Sequence, residues 1–136
     1  MTPQTAIQLH DSQTSPNCHR VKVVLEEKQL PYELIPVDLK AGEQKKPEFL
    51  RLNPYGKVPV LVDGETVVYE SCIINEYLEE KYPEHRLMPA DHGLRAKIRI
   101  SIDYGSTILL HPIKESVRKC EGKPSVKETL RSLRIQ

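Results

Sequence analysis

Cysteine is scarce and unpaired in this sequence: Cys18, Cys72 and Cys120 are widely separated and odd in number. There is no Cys-x-x-Cys pair and no Cys/His cluster at metal-ligand spacing, so neither a disulfide framework nor a structural metal organises the chain, and a reducing compartment is expected. The histidines, at 10, 19, 85, 92 and 111, are equally scattered, and no metal is expected at them. An excess of one charge is also missing. Twenty Lys and Arg stand against nineteen Asp and Glu, a net charge of +1, which gives no electrostatic reason to expect nucleic acid or an anionic membrane as a partner. No apolar run approaches the roughly 20 residues of a membrane span. The opening MTPQTAIQLH lacks the charged and apolar regions of a secretory signal. A soluble, cytoplasmic protein is the expectation.

What is present suits a small folded protein. With 136 residues, 38% hydrophobic and 29% charged, the chain can bury one good core, or one core with a partial second layer. Thr5–His10 alternates in the manner of a strand, and the turn-rich 11–17 follows it. From Cys18 the period becomes helical, with Cys18, Val21, Val24, Leu25 and Lys28 on one stripe and Pro31 as the stop. Residues 32–38 read as a second strand, and Pro36 within it argues for an edge position or an irregularity. After the polar loop 39–46, Pro47 suits the first position of a short helix that would bury Phe49, Leu50 and Leu52.

The clearest hairpin signal joins Val58–Val62 to Thr66–Tyr69 through Asp63-Gly64-Glu65. A helix should start at Ser71, with Ile73, Ile74, Tyr77 and Leu78 facing inward. The prolines of 83–90 read as a linker. Asp91 could cap a helix running to about Lys119, kinked near Gly105 and Pro112, with Leu94, Ile98, Ile102, Ile108 and Leu109 buried. A short last helix, opened by Ser125 and Glu128, is expected to reach about Arg134. The order β-α-β-α-β-β-α makes residues 1–82 a compact α/β domain, with 91–136 an all-helical segment.

The segments SPNCHRVKVVLEEKQLPYEL, KKPEFLRLNPYGKVPVLVDGETVVYES and SCIINEYLEEKYP resemble the amino-terminal domain of glutathione transferases, densely over residues 5–82. LRAKIRISIDYGSTILLHPI is similar, more weakly, to the start of that family's helical second domain, of which 91–136 would be a shortened part. The resemblance implies a thioredoxin-like fold and a glutathione site. Val58-Pro59 falls where the family has a cis-proline, and the backbone of Val58 would pair with the cysteinyl part of glutathione as a short added strand. Glu70 and Ser71, at a strand-to-helix junction, would receive the ammonium and carboxylate of the γ-glutamyl head.

The family's tyrosine at the end of the first strand is absent, which points to the serine- or cysteine-using branches. Ser15 stands where related redox enzymes carry their exposed cysteine. Its hydroxyl would donate to the glutathione sulfur and favour the thiolate, aided by the positive end of the first helix. Ser12 is a second hydroxyl candidate. Cys18 is either a small buried residue or a helix-stabilised thiolate. Lys40, Gln44, Lys45 and Lys57 are candidates for the glycine carboxylate.

The implied activity is conjugation of glutathione to small electrophiles in a detoxification or stress-response role, by a homodimer. Glutathione is the cosubstrate, with no other cofactor. The alternatives are glutathione-dependent redox chemistry through Cys18 (deglutathionylation or dehydroascorbate reduction) and a non-catalytic binding or assembly module.

Overall fold

The computed structural model describes residues 7–110, which divide into two units at Met88–Pro89. The first unit carries a four-stranded sheet. Its strands are β1 (Ile7–Asp11), β2 (Tyr32–Pro36), β3 (Val60–Asp63) and β4 (Thr66–Tyr69), in the order β2-β1-β3-β4. β1 runs parallel to β2, and the other two pairings are antiparallel. Three helices flank it: α1 (Pro16–Glu27), α2 (Pro47–Leu52) and α3 (Ser71–Lys81). This is the thioredoxin-like arrangement that the family resemblance implies.

The burial of each element follows its side-chain period. β1 turns Ile7, Leu9 and Asp11 inward. Ile7 and Leu9 meet Val21 and Leu25 of α1, Leu61 of β3, and Ile74 and Leu78 of α3 in one core cluster. A second cluster gathers Cys18, Val37, Phe49, Val58 and Val60. β2 is an edge strand, the first of the two readings Pro36 allowed, because proline can donate nothing to a further neighbour.

Three expectations need correction here. β3 begins at Val60 rather than Val58, since the cis Val58-Pro59 bond lies outside the ladder. Ile73 is 58% exposed, because α3 buries only the narrow stripe Ser71, Ile74 and Leu78. Of α2's three apolar residues, Phe49 alone is fully buried.

Asp63, read from the sequence as a turn residue, has a second role. Its Oδ2 accepts from the hydroxyls of Tyr77 (2.8 Å) and Tyr82 (2.7 Å) and from Lys81 Nζ (2.7 Å), fastening the hairpin to the end of α3. Burial alone would raise its carboxyl, but these three donors outweigh it and hold the group below the usual aspartate range. The same contact, with burial, pushes Tyr82 up to about 12. A depressed carboxylate stabilises the fold above its unfolded pKa and loses that contribution as pH falls through the folded value. Stability should therefore drop as pH falls below the ordinary aspartate value of about 3.9. Asp63→Asn should flatten that acid limb while lowering stability at neutral pH; urea midpoints measured across pH check both.

The second unit, among the described residues, is α4 (His92–Tyr104) and a π-helical turn, Gly105–Leu109. Asp91 caps α4 as expected, its carboxylate accepting from Leu94 N at 2.8 Å. The regular helix changes at Gly105, where a break was expected. The expected burial is not found: Leu94, Ile102, Ile108 and Leu109 are exposed and Ile98 is only partly covered. Among the described residues this unit holds no second helix to cover them. Pro112, the helix expected to continue to about Lys119 and the final helix near Ser125–Arg134 lie outside the described residues.

Candidate glutathione site

Ser15 is the N-cap of α1. Its extended backbone and the proline at the next position start the helix cleanly, and its Oγ accepts from Cys18 N at 3.4 Å. An accepting hydroxyl keeps its own hydrogen for donation, and Ser15 is half-buried beside the positive end of α1. Ser12 lies one turn back: its carbonyl accepts from Ser15 N at 3.0 Å, and its hydroxyl pairs with Thr14 at 3.2 Å. Cys18 is fully buried. Burial pushes its thiol up, only partly opposed by its bonds to Ser15 and Ser12, which favours the neutral form.

Val58-Pro59 is cis and buried. Cys18 and Val58 share the second core cluster, so the start of α1 packs against the segment that holds the cis bond. Asn53 shapes the approach to that segment. It is 1% exposed; its Nδ2 donates to Lys57 O at 2.8 Å and its Oδ1 accepts from Tyr55 N at 3.0 Å. Gly56 sits at φ 60°, where a side chain would collide with Gln44 O and Lys45 Nζ. The loop of residues 39–46 therefore packs on the turn before Lys57.

Glu70 and Ser71 open α3, but the cap falls one residue earlier than a serine cap would place it. Glu70 is the N-cap, at φ 72° and ψ 117°, and makes no side-chain cap bond. A non-glycine residue held there costs on the order of 1–3 kcal/mol and persists only where its surroundings fix it. Ser71, 6% exposed, accepts from Arg20 Nη1 of α1 at 3.3 Å, and the same nitrogen donates to Cys72 Sγ at 3.0 Å.

The basic and amide candidates are placed less uniformly. Lys45 Nζ reaches Tyr55 O at 3.5 Å, beside the turn. Lys57 is exposed next to Val58. Gln44 donates to Leu39 O at 3.3 Å within its own loop, and Lys40 is exposed with its N–H on Asp38, so neither is brought to the other candidates by a described contact. A cavity of about 200 Å³, lined by His10, Val37, Phe49 and Leu52 among others, contains none of the candidate residues.

Sequence reasoning missed Asn53 and Arg20. Asn-Pro at 53–54 is a turn signal that could have drawn attention to the first. Nothing local marks Arg20, whose contacts lie 51 and 52 residues further on.

Residues 14–81, half of the chain, match the Glutathione S-transferase, N-terminal domain. The chain belongs to the glutathione S-transferase family. It is 58% identical over 72 residues to a zeta-class glutathione S-transferase of Euphorbia esula, covering 53% of this chain and 32% of that one. It is 48% identical over 102 residues to glutathione S-transferase 3 of Zea mays, covering 74% and 46%. A stringent starvation protein A homolog of Haemophilus influenzae is 47% identical over 83 residues, covering 61% and 38%. The chain thus spans less than half the length of these curated relatives.

Among solved structures, glutathione transferase F1 of poplar superposes with a TM-score of 0.81 at 29% identity, over 94% of this chain and 62% of that one. A glutathione transferase homolog of Drosophila mojavensis, solved with bound glutathione, gives 0.71 at 34% identity, over 75% and 47%. The start of α1, the cis-proline segment and the start of α3 all fall within the residues that match this N-terminal domain. Among the described residues no helix is long and apolar enough to cross a membrane.

Proposed function

We propose that this domain binds glutathione along the edge formed by Ser15, Val58-Pro59 and Glu70-Ser71, and that the protein transfers glutathione to small electrophiles. The observation that carries this reading is the linkage of three segments distant in sequence. Cys18 packs in one cluster with Val58, and Arg20 reaches from α1 to Ser71. The glutathione bound in the Drosophila mojavensis homolog supports the same ligand here.

In the proposed step the thiol proton leaves to solvent and Ser15 Oγ donates a hydrogen bond to the sulfur, which becomes a thiolate. The sulfur lone pair then forms the S–C bond to the electrophile, whose leaving group departs with its bonding electrons. The backbone of Val58, outside the ladder that starts at Val60, is free of that ladder to pair with the cysteinyl residue. Ser71 and the first-turn N–H groups of α3 meet the γ-glutamyl carboxylate, and Glu70 its ammonium. Lys45 and Lys57, beside the 55–56 turn, are the cations this reading assigns to the glycine end. The cellular role is detoxification in a reducing cytoplasm, by a homodimer.

Glutathione titration followed by NMR tests the site: amide shifts are expected at Ser15, Val58 and Ser71 together. A second reading, a non-catalytic assembly module, is favoured by the Haemophilus influenzae relative, whose name is not that of a transferase. No shift at any of the three positions would give that reading the lead.

A further inference from the structure

We infer that Arg20 is a positioning residue of this glutathione site, one that orients the Ser71 hydroxyl towards the γ-glutamyl carboxylate. The inference rests on the proposed glutathione reading and extends it to a residue outside the motifs. Arg20 lies on α1, five residues past Ser15, and its Nη1 stands 3.3 Å from Ser71 Oγ. A guanidinium can only donate, so Ser71 must accept in this contact. A hydroxyl that accepts from the protein side has its single hydrogen left for the other side. That is the polarity a carboxylate needs and the opposite of what an ammonium would select.

The second contact strengthens the geometry. The same nitrogen donates to Cys72 Sγ at 3.0 Å, so the guanidinium is seated against two successive residues of the first turn of α3. Its fixed charge lies beside N–H groups that already favour an anion. α1 therefore serves two parts of the ligand: its cap, Ser15, meets the central thiol, and Arg20, five residues further on, sets the polarity at the γ-glutamyl carboxylate.

The test pairs a protein change with a ligand change. Glutathione and 4-aminobutanoyl-cysteinylglycine, which lacks only the α-carboxylate of the γ-glutamyl head, are titrated into the full chain and into Arg20→Met, Arg20→Lys, Ser71→Ala and the Arg20→Met/Ser71→Ala double variant. Loss of the guanidinium that sets the polarity of the Ser71 hydroxyl should weaken glutathione roughly tenfold or more in Arg20→Met. The truncated ligand should be unaffected. The double variant should be no weaker than Ser71→Ala, because Arg20 acts through Ser71.

Arg20→Lys, which keeps a charge and a donor, should fall between wild type and Arg20→Met, and it supplies the comparison if the methionine variant does not fold. Equal weakening of both ligands, or unchanged glutathione affinity in both variants, overturns the inference and leaves the glutathione site standing. A wild-type chain that binds neither ligand overturns the site itself, and the inference with it.

Discussion

Ser15→Ala is expected to lower the rate of glutathione transfer by about 100-fold, the usual consequence of removing one preorganised donor from a developing or stabilised anion. The reason is electrostatic. Ser15 Oγ accepts from Cys18 N and in the proposed step donates its hydrogen to the glutathione sulfur, and the first turn of α1 adds its positive end. Without that donor the bound thiol ionises at higher pH. The rate of the variant should therefore rise with pH later than that of the wild type, and the two should converge in alkali, where both sulfurs are thiolates.

That convergence separates a chemical role from a structural one. Loss of the cap also costs about 1 kcal/mol of stability, which no change of pH would restore in the same way. Ser15→Thr, which keeps both hydroxyl and cap, should retain most activity. Cys18→Ala should keep the transfer rate, since a buried thiol held neutral supplies no nucleophile. A full rate in Ser15→Ala removes Ser15 from the mechanism and returns attention to Ser12. Activity abolished in Cys18→Ala would revive the redox alternative.

The second large effect is expected in stability. The Lys28 side chain is fully buried, and its ammonium meets Glu79 Oε2 at 3.1 Å and Tyr82 O at 2.8 Å. It also approaches the carbonyls of His85 (3.4 Å) and Glu84 (3.5 Å). Glu79 in turn accepts from the N–H groups of Leu87 and Met88, so one ion pair ties the ends of α1 and α3 to the segment leaving the domain. Lys28→Met leaves that carboxylate without its partner, and breaking a buried pair costs about 3–5 kcal/mol. That is a large share of the ~5–15 kcal/mol that holds a typical domain together.

Denaturant midpoints should show the loss, and Lys28→Met/Glu79→Gln should recover part of it, because the stranded charge is then gone. Burial would raise Glu79, but Lys28 and the Leu87 and Met88 N–H groups outweigh it and hold the group below the usual glutamate range. Its contribution is thus present at neutral pH and lost as pH falls through its folded value, and that loss should shrink in Lys28→Met. A wild-type midpoint in Lys28→Met would show the pair to be idle.

Lys28 and Asp63 also mark where sequence reading stopped. The spacing of Lys28 placed it on the inward stripe of α1, which is correct, yet nothing nearby explains a buried ammonium. Its partners lie 51 or more residues ahead. Asp63 was legible as a turn residue beside Gly64, because turn chemistry is local, whereas its three donors come from the far end of α3. Ile73 and the apolar residues of α4 failed for the converse reason. Periodicity says which residues share a face but not whether anything covers that face.

By itself the sequence determined the order and type of the main elements and the cap at Asp91, and its resemblance to a known family supplied the three segments proposed to hold glutathione. The elements and the cap follow from spacing and from proline and capping chemistry within about a dozen residues, whereas the three segments follow from the resemblance. Tertiary structure alone decided that Cys18 is buried in one cluster with Val58, that Asn53 braces the approach to Pro59, and that Arg20 reaches Ser71. Those contacts depend on how a folded sheet brings separate loops to one edge. A hydrogen bond across 51 residues leaves no periodic trace in the chain that makes it.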